Sequence, residues 1–142
     1  MATPIQIVFD CADPANLAEF WATALGYATQ PPPPGFASWE AWAVDVGIPE
    51  ERWNDAAAVV DPDDAGPRLF FQKVPEGKTT KNRLHLDIGV GKDIEPEHRS
   101  KVVETEADRL VAAGASVVRH QEQRNEFWIV MQDPEGNEFC VH

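Results

Sequence analysis

The sequence predicts an α+β fold in which one βαβββ unit occurs twice. Near the start, the strand-like residues 5–10 lead into an amphipathic helix that ends at Gly26, and later residues 83–88 lead into a second helix that ends at Gly114. Short β-branched runs favour strands, whereas apolar residues at every third and fourth position favour a helix. Because the same order of patterns recurs, we expect a duplicated small module rather than one long sheet.

Turn signals repeat at the same place in both units. Asp-Pro turns at Asp61 and Asp133 each precede a final apolar strand, and both residue types are favoured in turns. The units are predicted at about 4–75 and 82–142, and an insertion at about 30–54 has no counterpart in the second unit. The chain of 142 residues is therefore predicted to be a single domain that buries a core without disulfides.

The first helix has clear signals at both ends. Asp13 is a favourable N-cap, and Pro14 suits the first helical position, where its missing N–H would lack a partner. Gly26 is expected to end the helix in the left-handed conformation. The apolar side that we expect to pack on the sheet comprises Leu17, Phe20, Trp21 and Ala24.

The remaining elements follow from the same patterns. Strands are predicted at 56–60, 68–74, 83–90, 115–119, 127–131 and 137–141, and the second helix at 97–113. The second strand of the first unit is poorly defined, because the insertion interrupts that unit between its helix and its remaining strands.

The insertion contains three tryptophans. Pro31–Pro34 form a stiff extended run, and Ser38 is placed to cap a short helix that carries Trp39 and Trp42 on one side. A further helical turn is predicted at 49–53. Two interpretations stay open: the tryptophans form a small core that holds the insertion in place, or they form the wall of a ligand pocket.

The chain is strongly acidic, with a formal net charge of −12. Such a surface repels phosphate groups, so nucleic acids and anionic membranes are poor partners. No run approaches the roughly 18 apolar residues of a membrane-spanning helix, and no signal peptide is recognisable. Cys11 and Cys140 show neither a disulfide framework nor a metal-binding spacing. We therefore expect a soluble, cytoplasmic protein.

These motifs resemble those of the vicinal-oxygen-chelate superfamily, which includes glyoxalase I, bleomycin-resistance and fosfomycin-resistance proteins and extradiol dioxygenases, and within it the glyoxalase-like domains. The residues that carry the resemblance are Asp13-Pro14, Phe20-Trp21, Leu25-Gly26, Asn82 to Asp87 and Asp133 to Phe139. The resemblance implies that each unit curls into half a barrel and that the two halves form a cup, the glyoxalase/bleomycin-resistance/dioxygenase fold. It also implies a homodimer.

The resemblance further implies a divalent metal ion at the mouth of the cup, held by the first and last strands of each unit. Carried over by position, the four slots fall on Gln6, Phe70, His85 and Cys140, with Gln6 paired with His85. A shift of register by one or two residues would put Phe71 or Gln72 in the place of Phe70. Phenylalanine cannot bind a metal, and Gln, His and Cys without a carboxylate suit hard divalent ions poorly. Glu138 is the nearest carboxylate, but it lies one level away on its strand. We therefore expect no cofactor, and a divalent metal is disfavoured.

His85 is the candidate catalytic residue, because a histidine with a pKa of about 6.5 can transfer protons at neutral pH. Asp87 could orient its ring, or it could make only an edge hydrogen bond. Buried free cysteines act mostly as small hydrophobic residues, so Cys140 is not favoured as a nucleophile. Either Trp128 or its neighbour Phe127 faces the cup. The predicted ligand pocket comprises Gln6, His85, Cys140, Trp39, Trp42 and Trp128.

Two functions remain. One is a metal-free protein that binds a hydrophobic or aromatic metabolite or antibiotic, and the loss of carboxylate ligands favours it. The other is an enzyme related to lyases, isomerases or dioxygenases that uses His85, with or without a metal, on a small oxygenated substrate. In both cases the partner is a small molecule, and we expect the insertion to close over the mouth of the cup.

Overall fold

The computed structural model describes every residue from Met1 to His142 and divides the chain into two compact units, Met1–Gly77 and Lys78–His142. Each unit contains one four-stranded sheet and one long helix that packs on it. Both sheets are open, with two edge strands each, rather than closed barrels. The predicted α+β class and the two βαβββ repeats are confirmed.

The first unit follows the order strand, helix and three strands, with the insertion inside it. Its elements are β1 (Gln6–Cys11), α1 (Pro14–Leu25), β2 (Ala28–Thr29), α2 (Trp39–Asp45), a 3-10 turn (Glu50–Arg52), β3 (Ala56–Val60) and β4 (Arg68–Lys73). The order of strands in the sheet is β1-β4-β3-β2, with β1 and β4 parallel.

The second unit repeats this topology. Its elements are β5 (Leu86–Ile88), α3 (Pro96–Ala112), β6 (Ser116–Gln123), β7 (Glu126–Gln132) and β8 (Glu138–Val141). The order of strands is β5-β8-β7-β6, and β5 and β8 are parallel. None of the helices combines the length and apolar character that crossing a bilayer requires.

The predicted end signals of the helices act as expected. Asp13 accepts a hydrogen bond from the backbone N–H of Asn16 at 3.3 Å, which caps α1, and Gly26 ends that helix with φ of 69°. In the insertion, Ser38 caps α2 by accepting a bond from the N–H of Ala41 at 3.1 Å. Asp13 and Ser38 therefore fix where α1 and α2 begin, and Gly26 fixes where α1 ends.

The two Asp-Pro turns are built alike. Asp61 accepts hydrogen bonds from the N–H groups of Asp63 and Gly66, at 2.9 and 2.7 Å. Asp133, which is buried, accepts bonds from the N–H groups of Glu135 and Asn137, both at 2.9 Å. Each carboxylate thus replaces the missing backbone partners of a tight turn, and this sets the start of the strand that follows.

The core of each unit lies between its helix and one face of its sheet. In the first unit, the ring of Phe9 lies 5.2 Å from the rings of both Trp21 and Phe71. The apolar side of α1 is buried as predicted. In the second unit, the largest fully buried side chains are Phe139, Leu110, Ile129, Met131, Val103 and Val141. Burying each such side chain stabilises the fold by about 1.5–3 kcal/mol.

Two predicted details are corrected. The strand expected at 83–90 is only Leu86–Ile88, so His85 lies one residue before it. The insertion does not directly follow the helix, because the two-residue strand β2 comes first and the insertion replaces the turn between β2 and β3. A strand of two residues carries too little periodicity to be read from sequence.

Candidate functional site

Each sheet has one face covered by a helix and one open face. In the first sheet, Leu69 and Phe71 point towards α1 and are fully buried. The alternate residues therefore form the open face. On β1 and β4 these are Gln6, Val8, Asp10, Arg68, Phe70 and Gln72.

Arg68 is the centre of a polar cluster on this open face. It lies directly opposite Gln6 in the β1–β4 pair and donates a hydrogen bond from Nη1 to Oε1 of Gln6. Its Nε donates to Oε1 of Gln30 at 2.5 Å, and its Cζ lies 5.2 Å from the centre of the Phe70 ring. The guanidinium is half-buried and forms no ion pair, although the chain has 24 acidic residues.

A shallow depression of about 570 Å³ adjoins this cluster within the first unit. Phe70, Ala56, Val74 and Pro75 supply its apolar surface. Its polar lining comes from Arg52, Asp55, Gln72 and Lys73.

The tryptophans of the insertion hold the insertion itself together. Nε1 of Trp39 donates to the carbonyl oxygen of Gln30 at 2.7 Å, and Nε1 of Trp53 donates to that of Ile48 at 3.0 Å. The rings of Trp39 and Trp42 meet edge to face with centres 5.4 Å apart. The indole N–H groups of Trp39 and Trp53 therefore already have acceptors within the insertion. Trp39 and Trp42 do not line the depression.

The open face of the second sheet carries the other candidate residues. Ile129 and Met131 are fully buried and β7 packs on α3, so the alternate residues of β7, including Trp128, lie on the open face. Trp128 rather than Phe127 is therefore the aromatic residue of this face. One row of paired residues crosses the four strands of this sheet. It consists of Asp87, Cys140, Val130 and Arg119.

Asp87 links the polar residues of this face. Nε2 of His85 lies 3.3 Å from Oδ1 of Asp87, and Nε2 of His142 lies 3.7 Å from Oδ2. The side chains of His85 and Asp87 are 44% and 51% exposed, so solvent reaches this pair. A carboxylate at this distance can orient an imidazole ring. Of the two roles considered for Asp87, the structure supports that of partner to His85.

Cys140 is held as a neutral thiol. Burial raises its pKa, and the charge of Asp87 together with a hydrogen bond to that carboxylate raises it further. Only the thiolate is an effective nucleophile or metal ligand. The raised pKa disfavours the thiolate, and the role of Cys140 stays a prediction.

Glu138 stabilises the local structure through hydrogen bonds. It accepts hydrogen bonds from the backbone N–H of Asn82 at 2.9 Å and from Nζ of Lys78 at 3.2 Å. Burial raises the pKa of this carboxyl, but the N–H donors and Lys78 outweigh that effect and lower it to about 2. Glu138 thus ties the segment before β5 to the start of β8, and its oxygens are occupied.

The four predicted metal slots do not fit a hard divalent ion. Phe70 has no donor atom, and the amide oxygen of Gln6 already accepts a bond from a guanidinium, whose positive charge repels a cation. Ligand atoms of His85, Asp87 and Cys140 do lie within 4.8 Å of one another. Cys140 would have to lose its proton before it could bind a metal, and its pKa is raised. A sulfur atom is also a poor ligand for ions that prefer oxygen.

Sequence reasoning singled out Phe70 and Cys140, which lie on the two open faces, and missed Arg68 beside Phe70. Arg68 lies two residues before Phe70, so strand alternation alone puts it on the same face. The hydrogen bond between Arg68 and Gln6 depends on the register of the parallel pair of β1 and β4, which cannot be read from the sequence. The pairing of Gln6 with His85 between the units stays a prediction.

The comparisons agree with this fold. Residues 6–142 match the family model described as a glyoxalase-like domain. Similar solved structures include a hypothetical protein, SA1046, from S. aureus, at 14% identity with TM-score 0.62, covering 99% of this chain and 93% of that one. A glyoxalase/bleomycin resistance protein/dioxygenase family enzyme from Burkholderia phytofirmans PsJN has the same identity, 14%, and the same TM-score, 0.62, with coverages of 96% and 94%.

A third similar structure is a mutant of the fosfomycin resistance protein FosX from Listeria monocytogenes, complexed with Mn(II) and 1S,2S-dihydroxypropylphosphonic acid. It is 12% identical, covers 100% of this chain and 90% of its own, and has a TM-score of 0.62. At such identities the likeness concerns the fold alone. No curated protein matches the sequence.

Proposed function

The chain belongs to the glyoxalase-like domain family, and from that premise we propose that it binds a small hydrophobic or aromatic molecule, such as a metabolite or an antibiotic, without a divalent metal ion. Phe70 is the residue that carries this proposal. It occupies a slot where the resemblance implies a metal ligand, and it supplies an aromatic surface to the depression of the first sheet. An aromatic wall favours flat ligands through stacking.

The polar residues around this surface suit recognition rather than metal chemistry. Gln72, on the open face beside Phe70, donates from Nε2 to Oδ1 of Asp10 at 2.7 Å, which fixes the orientation of its amide. Arg52 pairs with Asp55 at 2.9 Å. An apolar floor with a few fixed polar groups at its rim is the usual composition of a small-molecule site.

The neutral fluorescent probe N-phenylnaphthylamine tests this function. We expect saturable binding to the purified protein and a loss of roughly tenfold in affinity for Phe70→Ala, since truncating an aromatic contact costs on the order of 1–2 kcal/mol. Val111→Ala, which shortens an exposed apolar side chain on α3, is the control and should leave binding unchanged. Equal binding by wild type and Phe70→Ala would contradict the proposal.

The second candidate function is an enzyme that uses His85 as an acid or base. The contact between His85 and Asp87 favours it, because the carboxylate, 3.3 Å from Nε2 of the ring, can orient the imidazole towards a substrate. A small oxygenated substrate would give up a proton next to its carbonyl group. Wild-type protein would then accelerate the exchange of hydrogen for deuterium in hydroxyacetone in heavy water, followed by proton NMR, and His85→Gln would not. No acceleration by the wild type would remove this candidate.

A further inference from the structure

Arg68 is a positive charge in an unusual setting. Half-buried charges in proteins are normally paired with an opposite charge, yet Arg68 has only neutral acceptors, the amide oxygens of Gln6 and Gln30. Those two bonds use the Nε–H and one Nη1–H. The remaining N–H groups of the guanidinium have no acceptor in the chain, so it is oriented but not neutralised.

The ring of Phe70 fixes the guanidinium from a third side. Its centre lies 5.2 Å from Cζ of Arg68, a distance at which the face of an aromatic ring attracts a cation. Phe70 also lines the depression, so its ring links that surface to the guanidinium, which lies beside the lining rather than in it. The same residue thus joins an apolar surface to a positioned positive charge.

We propose that Arg68 forms an oxyanion-binding site on the open face of the first sheet, and that the protein selects small aromatic or apolar ligands that carry a carboxylate, sulfonate or phosphate group. This rests on the proposed binding function of the same face. A guanidinium can bind two oxygens of such a group through parallel hydrogen bonds, which gives direction as well as affinity. At Gln6, where the resemblance implies a metal ion, the fixed guanidinium supplies the positive charge instead.

The two cations that line the depression itself, Arg52 and Lys73, are weaker candidates for this role. Arg52 is already paired with Asp55 and is largely exposed. Lys73 is exposed and, as an ammonium on a flexible chain, has no fixed pair of donors. Arg68 is the one of the three that neutral side chains hold in place without cancelling its charge.

A matched pair of dyes tests the proposal. Anilinonaphthalenesulfonate carries a sulfonate on the ring system of the neutral N-phenylnaphthylamine. In Arg68→Gln we expect roughly tenfold or greater loss of affinity for the sulfonate, as a lost charge-assisted hydrogen bond implies, and less than about twofold for the neutral dye. Arg68→Lys should lose less, because it keeps the charge, and Lys101→Gln on α3 controls for the change in net charge.

The other outcomes contradict the proposal in different ways. Equal losses for both dyes in Arg68→Gln would mean that Arg68 only shapes the depression. A loss of sulfonate affinity in Lys73→Gln but not in Arg68→Gln would assign the site to the lysine. Unchanged sulfonate affinity in both variants, with neutral-dye binding intact, would reject the oxyanion site and leave the proposed function standing.

If the wild type binds neither dye, the proposed aromatic binding fails, and inorganic phosphate then decides the oxyanion site. Phosphate has no apolar surface, so its binding depends on charge and hydrogen bonds alone. Titration into isotope-labelled protein should shift the NMR signal of the Arg68 Nε–H in a saturable way that weakens at higher ionic strength. An unshifted signal would overturn the proposal.

Discussion

Asp87 lies directly opposite Cys140 in the parallel pair of β5 and β8, and its negative charge raises the pKa of the thiol. This contact accounts for much of the chemistry of the second open face. It holds Cys140 neutral, and it places one carboxylate within reach of both His85 and His142. The sequence pattern predicted each of these residues except His142 as a possible member of a site, but not the pair at its centre.

The first prediction concerns the reactivity of Cys140. Replacing Asp87→Asn should increase the rate at which iodoacetamide alkylates this thiol near pH 8, because the charge that raises its pKa is removed while its burial is unchanged. Mass spectrometry of the Cys140 peptide measures the rate, and Asp108→Asn on α3 serves as the control. Equal rates in wild type and Asp87→Asn would mean that burial alone sets the reactivity.

The second prediction concerns acid stability. Because folding lowers the pKa of Glu138 from 4.5 to about 2, its stabilising effect is present above pH 4.5 and is lost as the pH falls towards 2. Glu138→Gln should therefore lower the free energy of unfolding by about 2 kcal/mol at neutral pH, the usual loss for a hydrogen bond to a charged group. The difference from wild type should shrink as the pH falls through that window.

Urea unfolding followed by tryptophan fluorescence, at neutral pH and near pH 3, measures this difference. Glu104→Gln, at an exposed position on α3, should change stability little at either pH. A difference between wild type and Glu138→Gln that stays constant down to pH 3 would show that Glu138 contributes through packing rather than through its charge.

The third prediction is that the purified protein contains far less than one divalent metal ion per chain after dialysis. Three of the four predicted ligand positions argue against a metal ion. Phe70 has no donor atom, the amide oxygen of Gln6 accepts a bond from the guanidinium of Arg68, and Cys140 is a neutral thiol. Elemental analysis by mass spectrometry tests it. One zinc ion per chain in the wild type, absent from Cys140→Ser, would instead make the cluster of His85, Asp87 and Cys140 a metal site.

Much of the fold could be predicted because its signals are local. Strand β3 was placed at its observed bounds, 56–60, and Asp13, Ser38 and Gly26 act as the caps expected of them. These features depend on a few neighbouring residues.

The centres of the two polar clusters could not be predicted, because they depend on register between distant strands. Gln6 meets Arg68, and Asp87 meets Cys140, only because each first strand pairs in parallel with the last strand of its own unit at a specific offset. A shift by one residue would turn all of these side chains to the other face. Repeats in the sequence indicate which strands correspond, but not that offset.

The fourth prediction is a homodimer. β6 is an edge strand of eight residues, and nearly all of them are exposed. Long exposed edges are templates for pairing with another strand. Light scattering at micromolar concentration should show a dimer, and Val118→Lys on β6 should convert it to a monomer.

The control for the dimer uses a valine of equal exposure. Val111 on α3 and Val118 on β6 are both 45% exposed. Val111→Lys should therefore leave the dimer intact, because it adds the same charge away from the edge. A monomeric wild type would contradict the prediction of a dimer, and a dimer that persists in Val118→Lys would place the contact elsewhere.

The last prediction concerns the insertion, which we expect to cover the ligand and to confer selectivity. Its end supplies Arg52 and Asp55 to the lining of the depression, and Gln30 at its start holds Arg68. The paired rings of Trp39 and Trp42 stabilise the segment between these ends. Their role in selectivity would therefore be indirect, through the positions of the residues at either end of the insertion.

The double variant Trp39→Ala, Trp42→Ala separates a cover for the ligand from a dimer contact. Loss of the edge-to-face pair should loosen the insertion, since aromatic pairs contribute about 0.5–1.5 kcal/mol beyond their buried area. We expect the affinity for N-phenylnaphthylamine to fall several-fold while the oligomeric state stays the same by light scattering. A double variant that becomes monomeric and still binds the dye normally would assign the tryptophans to the dimer contact, because aromatic residues are also enriched at such interfaces.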